Sequence, residues 1–347
     1  MRTLVLTDFH HLTIDERPDP RVVEPDDVVI ALAHTGICGT DLHGYTGENG
    51  RRVPGQVMGH EAVGQILDAG PAATAAGLEI GQAVTFNPAL SCGECPACAR
   101  GAEQHCASGK VIGVAPEIVS AYAEQIVVPA GNVLPLPQGV PLTHGALAEP
   151  LAVGVQAVRQ GGVAAGTTVL VTGGGPIGQA VVLAALRAGA EHVVVSEPVA
   201  GRRQLCGQLG ATTIDPAEGP ASEQVLEILD GPAQVAVDAV GVDATLADSL
   251  HSVGPQGTVV LVGMGSPRVS IPAFAISTGQ RHLVGSFCYS REVFAHAVAL
   301  LGQEGMDVGK LISREVPLAR APEVFAEMAA GQMDPGKVLL RMDRDPV

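Results

Sequence analysis

The 347-residue chain contains no tryptophan, and its aromatic residues are limited to three tyrosines and six phenylalanines. Aliphatic side chains must therefore form most of the buried cores. No run approaches the roughly 20 consecutive apolar residues that a membrane-spanning helix needs. Basic residues are also scarce: 20 Lys and Arg stand against 36 Asp and Glu, a formal net charge of −16. Nucleic acids and anionic membranes require a basic surface, so the charge argues against both as partners.

The amino terminus lacks the pattern of a secretory signal, because polar residues interrupt it within the first eight positions. The seven cysteines are odd in number, and four of them fall within one short segment. This distribution favours metal binding in a reducing compartment over a disulfide framework. We therefore expect a soluble cytoplasmic protein.

The character of the sequence changes near Glu149-Pro150, and the chain length itself favours two domains. Before this point, short β-branched or alternating segments are separated by Gly and Pro, with no sustained helical periodicity before Leu142. After it, apolar strands alternate with helices of about ten residues. The sequence predicts a β-rich domain followed by an α/β domain, in which helices cover both faces of a parallel sheet.

A glycine-rich loop follows the first strand of the second region and opens a helix. It reads Gly173-x-Gly175-x-x-Gly178, with Pro176 and Ile177 inside the motif. The three glycines suit a tight turn, a close approach of the backbone to a pyrophosphate, and close packing of helix on strand. The free N–H groups of the helix would bind the phosphates. The loop predicts a dinucleotide site.

The next strand ends at Glu197, nineteen residues after Gly178. A carboxylate there can accept hydrogen bonds from both ribose hydroxyls and would repel a 2′-phosphate, which favours NAD over NADP. Arg202 and Arg203 lie nearby and weaken that preference. Val240 and Val262 follow later strands at the same edge and are candidates for lining the nicotinamide end.

Four cysteines, spaced Cys92-x2-Cys95-x2-Cys98-x7-Cys106, form the second cluster. Four thiolates without another donor describe a closed structural zinc site. The bacterial iron–sulfur pattern places three residues before a final Cys-Pro, whereas here seven residues intervene and Ala107 follows. Structural zinc is the better interpretation.

The third cluster lies at residues 38–43 and contains Cys38, Thr40, Asp41 and His43. Seventeen residues after His43 comes Gly59-His60-Glu61. A soft ligand, imidazole and carboxylates together indicate a zinc ion that activates a hydroxyl group.

With these motifs the chain resembles the zinc-dependent medium-chain dehydrogenase/reductase family, the alcohol dehydrogenase superfamily. The resemblance covers nearly the whole length. Glu149-Pro150-Leu151-Ala152 is similar to the polyol, butanediol and threonine dehydrogenase branch. The motifs that carry it are Cys38-Gly39-Thr40-Asp41, Gly59-His60-Glu61, the four cysteines, Glu149-Pro150-Leu151-Ala152, the glycine-rich loop and Gly336-Lys337-Val338.

The family fold implies two domains with the active site in the cleft between them. A chaperonin-10-like catalytic domain would comprise residues 1–153 and 288–347, with a structural-zinc lobe at 90–108. A six-stranded Rossmann domain would comprise residues 154–287. Pairing of the strand at residues 283–286 across a two-fold axis would give a homodimer or homotetramer.

The resemblance also implies residue roles. Cys38 and His60 would bind catalytic zinc, completed by Glu61 or Glu149 and a water. Asp41 would hydrogen-bond the far nitrogen of His60. Thr40 would take the hydroxyl proton, and His43 would carry it to the surface. Further candidates are Lys337 for the cofactor phosphates and Tyr45, Glu48 and Phe86 for the substrate pocket.

The implied activity is hydride transfer between NAD(H) and a secondary alcohol, vicinal diol or polyol, with a small-molecule alcohol as the partner. Sorbitol-type members carry an arginine where this chain has Cys288, so a smaller alcohol or diol is favoured over a long polyol. Three alternatives remain: an L-threonine 3-dehydrogenase-like enzyme, a zinc-free quinone or enoyl reductase, and a non-catalytic cofactor-binding protein. The complete ligand set argues against the second of these.

Overall fold

The computed structural model describes residues 1–48 and 50–342. The chain divides into two compact units, Met1–Glu149 with Ser290–Val347 and Pro150–Tyr289. The predicted domain boundaries lay after residues 153 and 287. Residues 343–347, the end of the first predicted range, lie outside the described residues.

Within the described residues the chain forms eighteen strands and eleven α-helices. The strands β1 to β18 are Arg2–Asp8, His11–Glu16, Asp27–Gly36, Gln56–Val57, Glu61–Ala69, Ala83–Phe86, Ala89–Leu90, Lys110–Val111, Gln125–Pro129, Val133–Pro135, Thr168–Thr172, His192–Ser196, Thr212–Ile214, Ala233–Asp238, Val253–Leu261, His282–Gly285, Ile312–Pro317 and Lys337–Arg341. The helices α1 to α11 are Gly39–Thr46, Pro71–Ala75, Pro96–Ala99, Ala148–Gln160, Pro176–Arg187, Ala200–Gln208, Ala221–Leu229, Asp243–Ser252, Ala273–Gly279, Arg291–Leu300 and Ala321–Ala329. Short 3-10 helices lie at Glu103–His105, Ala130–Asn132, Leu142–Leu147, Pro216–Glu218, Val308–Leu311 and Leu318–Arg320.

The first unit is built on a sheet in the order β10-β6-β5-β3-β18-β17, with β9 also pairing with β3. Strand β3 runs antiparallel to β5, β9 and β18. Two smaller sheets, β2-β1-β4 and β7-β8, complete the unit. Its main core is largely aliphatic, and the buried rings of Tyr122 and Phe325 meet edge to face within it. The predicted β-rich domain is confirmed.

Short helices interrupt this β-rich region where the sequence predicted none. Helices α1, α2 and α3 have eight, five and four residues. Helices of little more than two turns or less are too short to establish a 3.6-residue periodicity, which explains why the pattern missed them. Helix α1 begins after Cys38 and ends at Gly47, whose φ of 81° requires the left-handed region that glycine tolerates. It therefore carries Thr40, Asp41 and His43 on a defined helix.

The second unit contains one six-stranded sheet in the order β13-β12-β11-β14-β15-β16. All of its pairings are parallel. The chain winds away from β11 in one direction and then, from β14, in the other, which is the order of a doubly wound nucleotide-binding fold. Thr172 pairs in register with Ser196 and Asp238, so the carboxyl ends of three central strands meet at one edge. The predicted parallel α/β sheet is confirmed.

None of the described helices combines the length and the apolar character that a bilayer crossing requires.

Candidate metal centre and cofactor site

Cys38, His60 and Glu61 come together through the pairing of β3 with β5. In that antiparallel pair Gly36 lies opposite Glu61. Cys38 follows β3, and His60 directly precedes β5. One ligand atom from each of the three residues lies within 4.8 Å of the others. A Cβ at position 36 would collide with the Glu61 carboxylate, so glycine is required where the two strands bring the cluster together.

The cluster fits a metal ion on the chemistry of its donors. Glu61 is fully buried, and its Oε2 finds no hydrogen-bond partner among the described residues. A buried carboxylate oxygen without a donor is costly unless a cation neutralises it. Thiolate, imidazole and carboxylate are the donor types of catalytic zinc sites. These three residues can hold zinc and leave further positions for another ligand.

Lys337, at the start of β18, forms a buried ion pair with Glu61. Its Nζ donates to Glu61 Oε1 at 2.7 Å and to the carbonyl oxygen of Ile37 at 3.3 Å. Burial alone would lower the pKa of Lys337, but the charges of Glu61 and Cys38 outweigh burial and raise it. The ammonium group of Lys337 is thus held on a predicted metal ligand, and its predicted contact with cofactor phosphates stays a prediction.

Glu149 is absent from the compact donor cluster within the described part of the chain. Its charge acts on Lys337, where it contributes to the raised pKa. It is half-buried in the first turn of α4. Glu149 therefore lies in the electrostatic environment of the cluster, and its role as a zinc ligand stays a prediction.

Asp41 is held differently from the prediction. The distance from its Oδ2 to His60 Nδ1 is 3.6 Å, too long for a hydrogen bond. Its carboxylate instead accepts from the Tyr122 hydroxyl at 2.8 Å and from Arg52 Nη2 at 3.2 Å. Burial raises the pKa of Asp41, but the charges of His60 and Arg52 and the Tyr122 hydrogen bond lower it to about 2. Asp41 is thus a buried carboxylate that acts on His60 through its charge.

Sequence reasoning missed Arg52 and Tyr122, both of which are buried. Tyr122 lies three residues before β9, which begins at Gln125. Two glycines make room for these side chains: a Cβ at Gly44 would collide with Arg52, and one at Gly59 would lie 2.6 Å from the Tyr122 ring. Gly44 and Gly59 were the available sequence signal for these buried side chains, but a glycine does not reveal which residue packs against it.

The two predicted proton carriers occupy the exposed side of α1. Thr40 Oγ1 donates to Cys38 Sγ at 3.2 Å. His43 Nδ1 lies 2.9 Å from Glu48 Oε2, and both side chains are exposed. The remaining pocket candidates are corrected: Phe86 is buried in the core, and the buried Tyr45 donates its hydroxyl to the carbonyl oxygen of His10.

The four-cysteine lobe has the dimensions of a zinc tetrahedron. Four of its sulfur–sulfur distances are 3.5, 3.5, 3.8 and 3.9 Å, and all four sulfurs lie within 4.8 Å of one another. Zinc–sulfur bonds of about 2.3 Å in tetrahedral geometry would separate the sulfurs by about 3.8 Å. The residues of the lobe therefore fit a closed zinc site: Cys92, Cys95, Cys98 and Cys106.

We predict that Cys98→Ser weakens the fold more than the chemistry. Serine is a poor zinc ligand, so the variant should lose the lobe's ion and melt roughly 5–15 °C lower, a shift that corresponds to a few kcal/mol. Activity per folded molecule should remain. Calorimetry and zinc content measure the first effect. Cys288→Ser, outside both clusters, is the matched thiol control. A Cys98→Ser protein with unchanged melting temperature and zinc content would contradict a structural role.

The glycine-rich loop of the second unit has the geometry the sequence predicted. Gly173 follows β11 with φ of 92°, and a Cβ at Gly178 would collide with the Gly173 carbonyl oxygen. A Cβ at Gly175 would meet nothing within 4 Å, so the loop is open there. Helix α5 begins immediately afterwards, with Pro176 in its first turn and Ile177 half-buried. The open loop at the start of a helix is suited to a pyrophosphate.

Glu197 organises this loop. Its Oε2 accepts from the Gly174 N–H at 2.7 Å, and its Oε1 accepts from the Val199 N–H at 2.8 Å. An ionised carboxylate has about four acceptor sites, so further hydrogen bonds from ribose hydroxyls remain available. Arg202 is half-buried in α6.

Val240 and Val262 lie on the loops after β14 and β15. The Val240 N–H donates to the Asp238 side chain, and the Val262 N–H to the Asp238 carbonyl oxygen, each at 2.9 Å. A Cβ at Gly173 would lie 2.5 Å from the Val240 side chain. The structure thus places Val240 directly beside the glycine-rich loop.

Fold and sites together define a class of protein. One unit carries a thiolate–imidazole–carboxylate cluster and a four-sulfur site, and the other carries a dinucleotide loop on a doubly wound sheet. This combination is that of a zinc-binding dehydrogenase that uses a nicotinamide cofactor.

Comparison with known proteins agrees. An alcohol dehydrogenase GroES-like domain model matches residues 24–138, and a zinc-binding dehydrogenase model matches residues 176–303. D-xylulose reductase A of Aspergillus niger is 32% identical over 340 residues, 95% of this chain and 94% of that protein.

Two solved structures are similar over nearly the whole chain. One is a protein of Sinorhizobium meliloti described as a zinc-binding dehydrogenase and bound to NADP. It has a TM-score of 0.90 and 31% identity, with 98% of this chain and 99% of that one covered. The other is 2R,3R-butanediol dehydrogenase of Bacillus subtilis, with a TM-score of 0.88, 25% identity, and 99% of each chain covered.

The chain belongs to the zinc-dependent medium-chain dehydrogenase/reductase family. The predicted chaperonin-10-like and Rossmann folds are confirmed, as is the predicted class of activity, zinc-dependent alcohol oxidoreduction with a nicotinamide cofactor.

Proposed function

We propose that this protein is an NAD-dependent dehydrogenase that oxidises a secondary alcohol, within a small alcohol or vicinal diol, to a ketone. The observation that carries the proposal is the cluster of Cys38, His60 and Glu61 with the Thr40 hydroxyl 3.2 Å from the Cys38 sulfur. A metal-binding site with a hydroxyl directly beside a ligand is suited to removing a proton from an alcohol.

The residues of the first unit have separate roles in this proposal. Cys38, His60 and Glu61 hold the zinc ion, with Glu149 as a further ligand candidate. When bound, zinc supplies Lewis acidity that lowers the pKa of a substrate hydroxyl. Lys337 balances the negative charge of Glu61. The reaction transfers a hydride from the substrate carbon to NAD and releases the hydroxyl proton, so that alcohol and NAD⁺ give ketone, NADH and one proton.

Thr40 takes that proton first, since its hydroxyl can both donate and accept. His43 is the next acceptor, because its ring is exposed to solvent on the same helix. Glu48, 2.9 Å from His43 Nδ1, favours one ring orientation and leaves the other nitrogen for the proton.

We propose NAD as the cofactor, bound by Gly173, Gly175, Pro176, Ile177, Gly178 and Glu197, with Arg202, Val240 and Val262 as further contacts. The support is the Glu197 carboxylate at the loop, which would repel a 2′-phosphate. The Sinorhizobium relative was solved with NADP, so the preference is a property to be measured for this chain.

Glu197→Ala is expected to relax this preference. Removing the carboxylate abolishes its hydrogen bonds to the ribose hydroxyls, so kcat/KM with NAD should fall. It also abolishes the repulsion of the 2′-phosphate of NADP, so the ratio of kcat/KM with NAD to kcat/KM with NADP should drop about tenfold or more. The variant also leaves the buried Gly174 N–H without its acceptor. Loop stability should therefore be followed by hydrogen exchange. An unchanged ratio of cofactor efficiencies would refute the assigned role.

The substrate class rests on two observations. The relatives include proteins named D-xylulose reductase and butanediol dehydrogenase. Cys288 replaces the arginine of sorbitol-type enzymes, which favours a short diol over a long polyol. A panel that follows NADH formation should include 2,3-butanediol, sorbitol, xylitol and L-threonine. We expect the highest kcat/KM with a short vicinal diol or secondary alcohol.

The same panel separates the alternatives. Preferred oxidation of L-threonine would replace the diol proposal with a threonine 3-dehydrogenase. Two zinc ions per chain and tight NADH binding, with no oxidation of any alcohol tested, would indicate a non-catalytic cofactor-binding protein.

We also propose a homodimer or homotetramer in the cytoplasm. Strand β16 lies at the edge of its sheet, with the exposed Leu283 on it and the exposed Phe287 two residues beyond its end. Unpaired edges of this kind are routes to pairing with a second copy.

A further inference from the structure

An arginine–aspartate pair lies beside the ribose end of the proposed cofactor site. Strands β12 and β13 run in parallel, with Ser196 opposite Ile214, so Glu197 and Asp215 follow neighbouring strands at the same edge. The Glu197 N–H donates to the Ile214 carbonyl oxygen at 3.1 Å. Two carboxylates therefore flank the turn that leads into α6.

Arg203 is fixed between these two residues. Its Nη1 donates to the carbonyl oxygens of Glu197 and Pro198, both at 2.7 Å. Its Nη2 lies 2.8 Å from Asp215 Oδ2. Three charge-assisted hydrogen bonds in a planar fork are a specific and strong arrangement for a guanidinium.

Asp215 is in turn held rigidly. Its Oδ1 accepts from the Ala217 N–H at 3.0 Å, as the cap of a short 3-10 helix. Its backbone carbonyl accepts from Gln224 Nε2 at 3.0 Å. The side chains of Arg203 and Asp215 keep about a fifth of their surface exposed, at 22% and 17%, so the pair is accessible to a ligand that approaches this edge.

A cofactor with a 2′-phosphate requires a cation at the ribose. Arg203 is close enough to Glu197 to be that cation, but three of its five N–H donors are committed to two carbonyl oxygens and a carboxylate. We propose that Asp215 is a specificity-determining residue that acts through Arg203. By holding the guanidinium and adding a second negative charge, it strengthens the exclusion of NADP beyond what Glu197 alone achieves. This inference rests on the proposed use of NAD at the glycine-rich loop.

The test is nucleotide binding to the full-length zinc-loaded protein, measured by calorimetry with NADH and NADPH. Asp215→Asn keeps the Oδ1 acceptor for the Ala217 N–H and removes the charge. The ratio of the NADPH to the NADH dissociation constant should fall about tenfold, the effect of one charge-assisted hydrogen bond. In Asp215→Asn the freed Arg203 guanidinium is what binds the 2′-phosphate. Adding Arg203→Met removes that guanidinium, so the double variant should return to the wild-type ratio of dissociation constants.

Asp230→Asn is the matched control. Asp230 is exposed, precedes β14 at the opposite edge of the sheet, and undergoes the same change of charge. The ratio of the NADPH to the NADH dissociation constant in Asp230→Asn should equal that of the wild type. An unchanged ratio in Asp215→Asn, with both nucleotides still bound, would overturn the inference and leave the proposed function standing. Failure of the wild type to bind either nucleotide would overturn both.

Discussion

Cys38→Ser is expected to lower kcat/KM for alcohol oxidation by about a thousandfold or more while leaving the fold intact. Cys38 supplies the thiolate of the Cys38–His60–Glu61 cluster, and the metal's contribution to catalysis is worth several kcal/mol. Serine occupies nearly the same volume, so packing at the half-buried position changes little. Activity, zinc content and circular dichroism of one preparation measure the effect.

The contrast with Cys98→Ser makes this prediction specific. Cys38→Ser should retain the lobe's zinc, with a melting temperature close to that of the wild type. Cys98→Ser should retain activity per folded molecule and melt earlier. If both variants lose folding equally, the division into a reactive and a structural site is wrong.

Lys337→Met is expected to destabilise the protein without its catalytic zinc by about 3–5 kcal/mol, the typical cost of removing one partner of a buried ion pair. Lys337 and Glu61 are both nearly inaccessible, and their charged atoms lie 2.7 Å apart. Methionine fills the space but leaves Glu61 Oε1 buried without a donor. Urea denaturation after selective removal of the catalytic zinc, which would otherwise neutralise Glu61, measures the loss of free energy of unfolding.

A double-variant cycle identifies the cause. Lys337→Met combined with Glu61→Gln removes both charges, so it should recover much of the stability lost in the single variant. Lys310→Met is the exposed control, since Lys310 pairs with Asp307 at the surface and exposed pairs contribute at most about 1 kcal/mol. A single variant as stable as the wild type would show that Glu61 is neutralised by another group.

The sequence predicted those parts of the site whose residues lie close together in the chain. The four cysteines lie within fifteen residues, so their spacing already restricts them to one metal site. The glycine-rich loop is equally local, because strand, turn and helix follow one another directly. Cys38 and His60 are further apart, and the family resemblance linked them before the structure revealed the pairing of β3 with β5.

The buried partners of the site could not be predicted, because they are distant in sequence and have no motif. Lys337 is 276 residues from Glu61, and Tyr122 is 81 residues from Asp41. A lysine or arginine in a sequence is normally assigned to the surface. Only the fold reveals that Arg52 and Lys337 are buried opposite carboxylates.

Helix α1 was missed for a different reason. Eight residues with two glycines and few apolar side chains give no helical period. Its first turn is fixed by hydrogen bonds from Asp41 and Leu42 to the Cys38 carbonyl oxygen, and its Asp41 is fixed by Arg52 and Tyr122. Tertiary contacts, more than propensity, make this segment helical.

The most direct test of the central claim is the rate of NADH formation from a short vicinal diol before and after selective removal of the catalytic zinc by a chelator. If Cys38, His60 and Glu61 hold a zinc ion that the oxidation requires, chelation should abolish the rate and stoichiometric zinc should restore it, with the fold unchanged throughout. A protein that oxidises the diol at the same rate with only the four-cysteine zinc present would contradict the account.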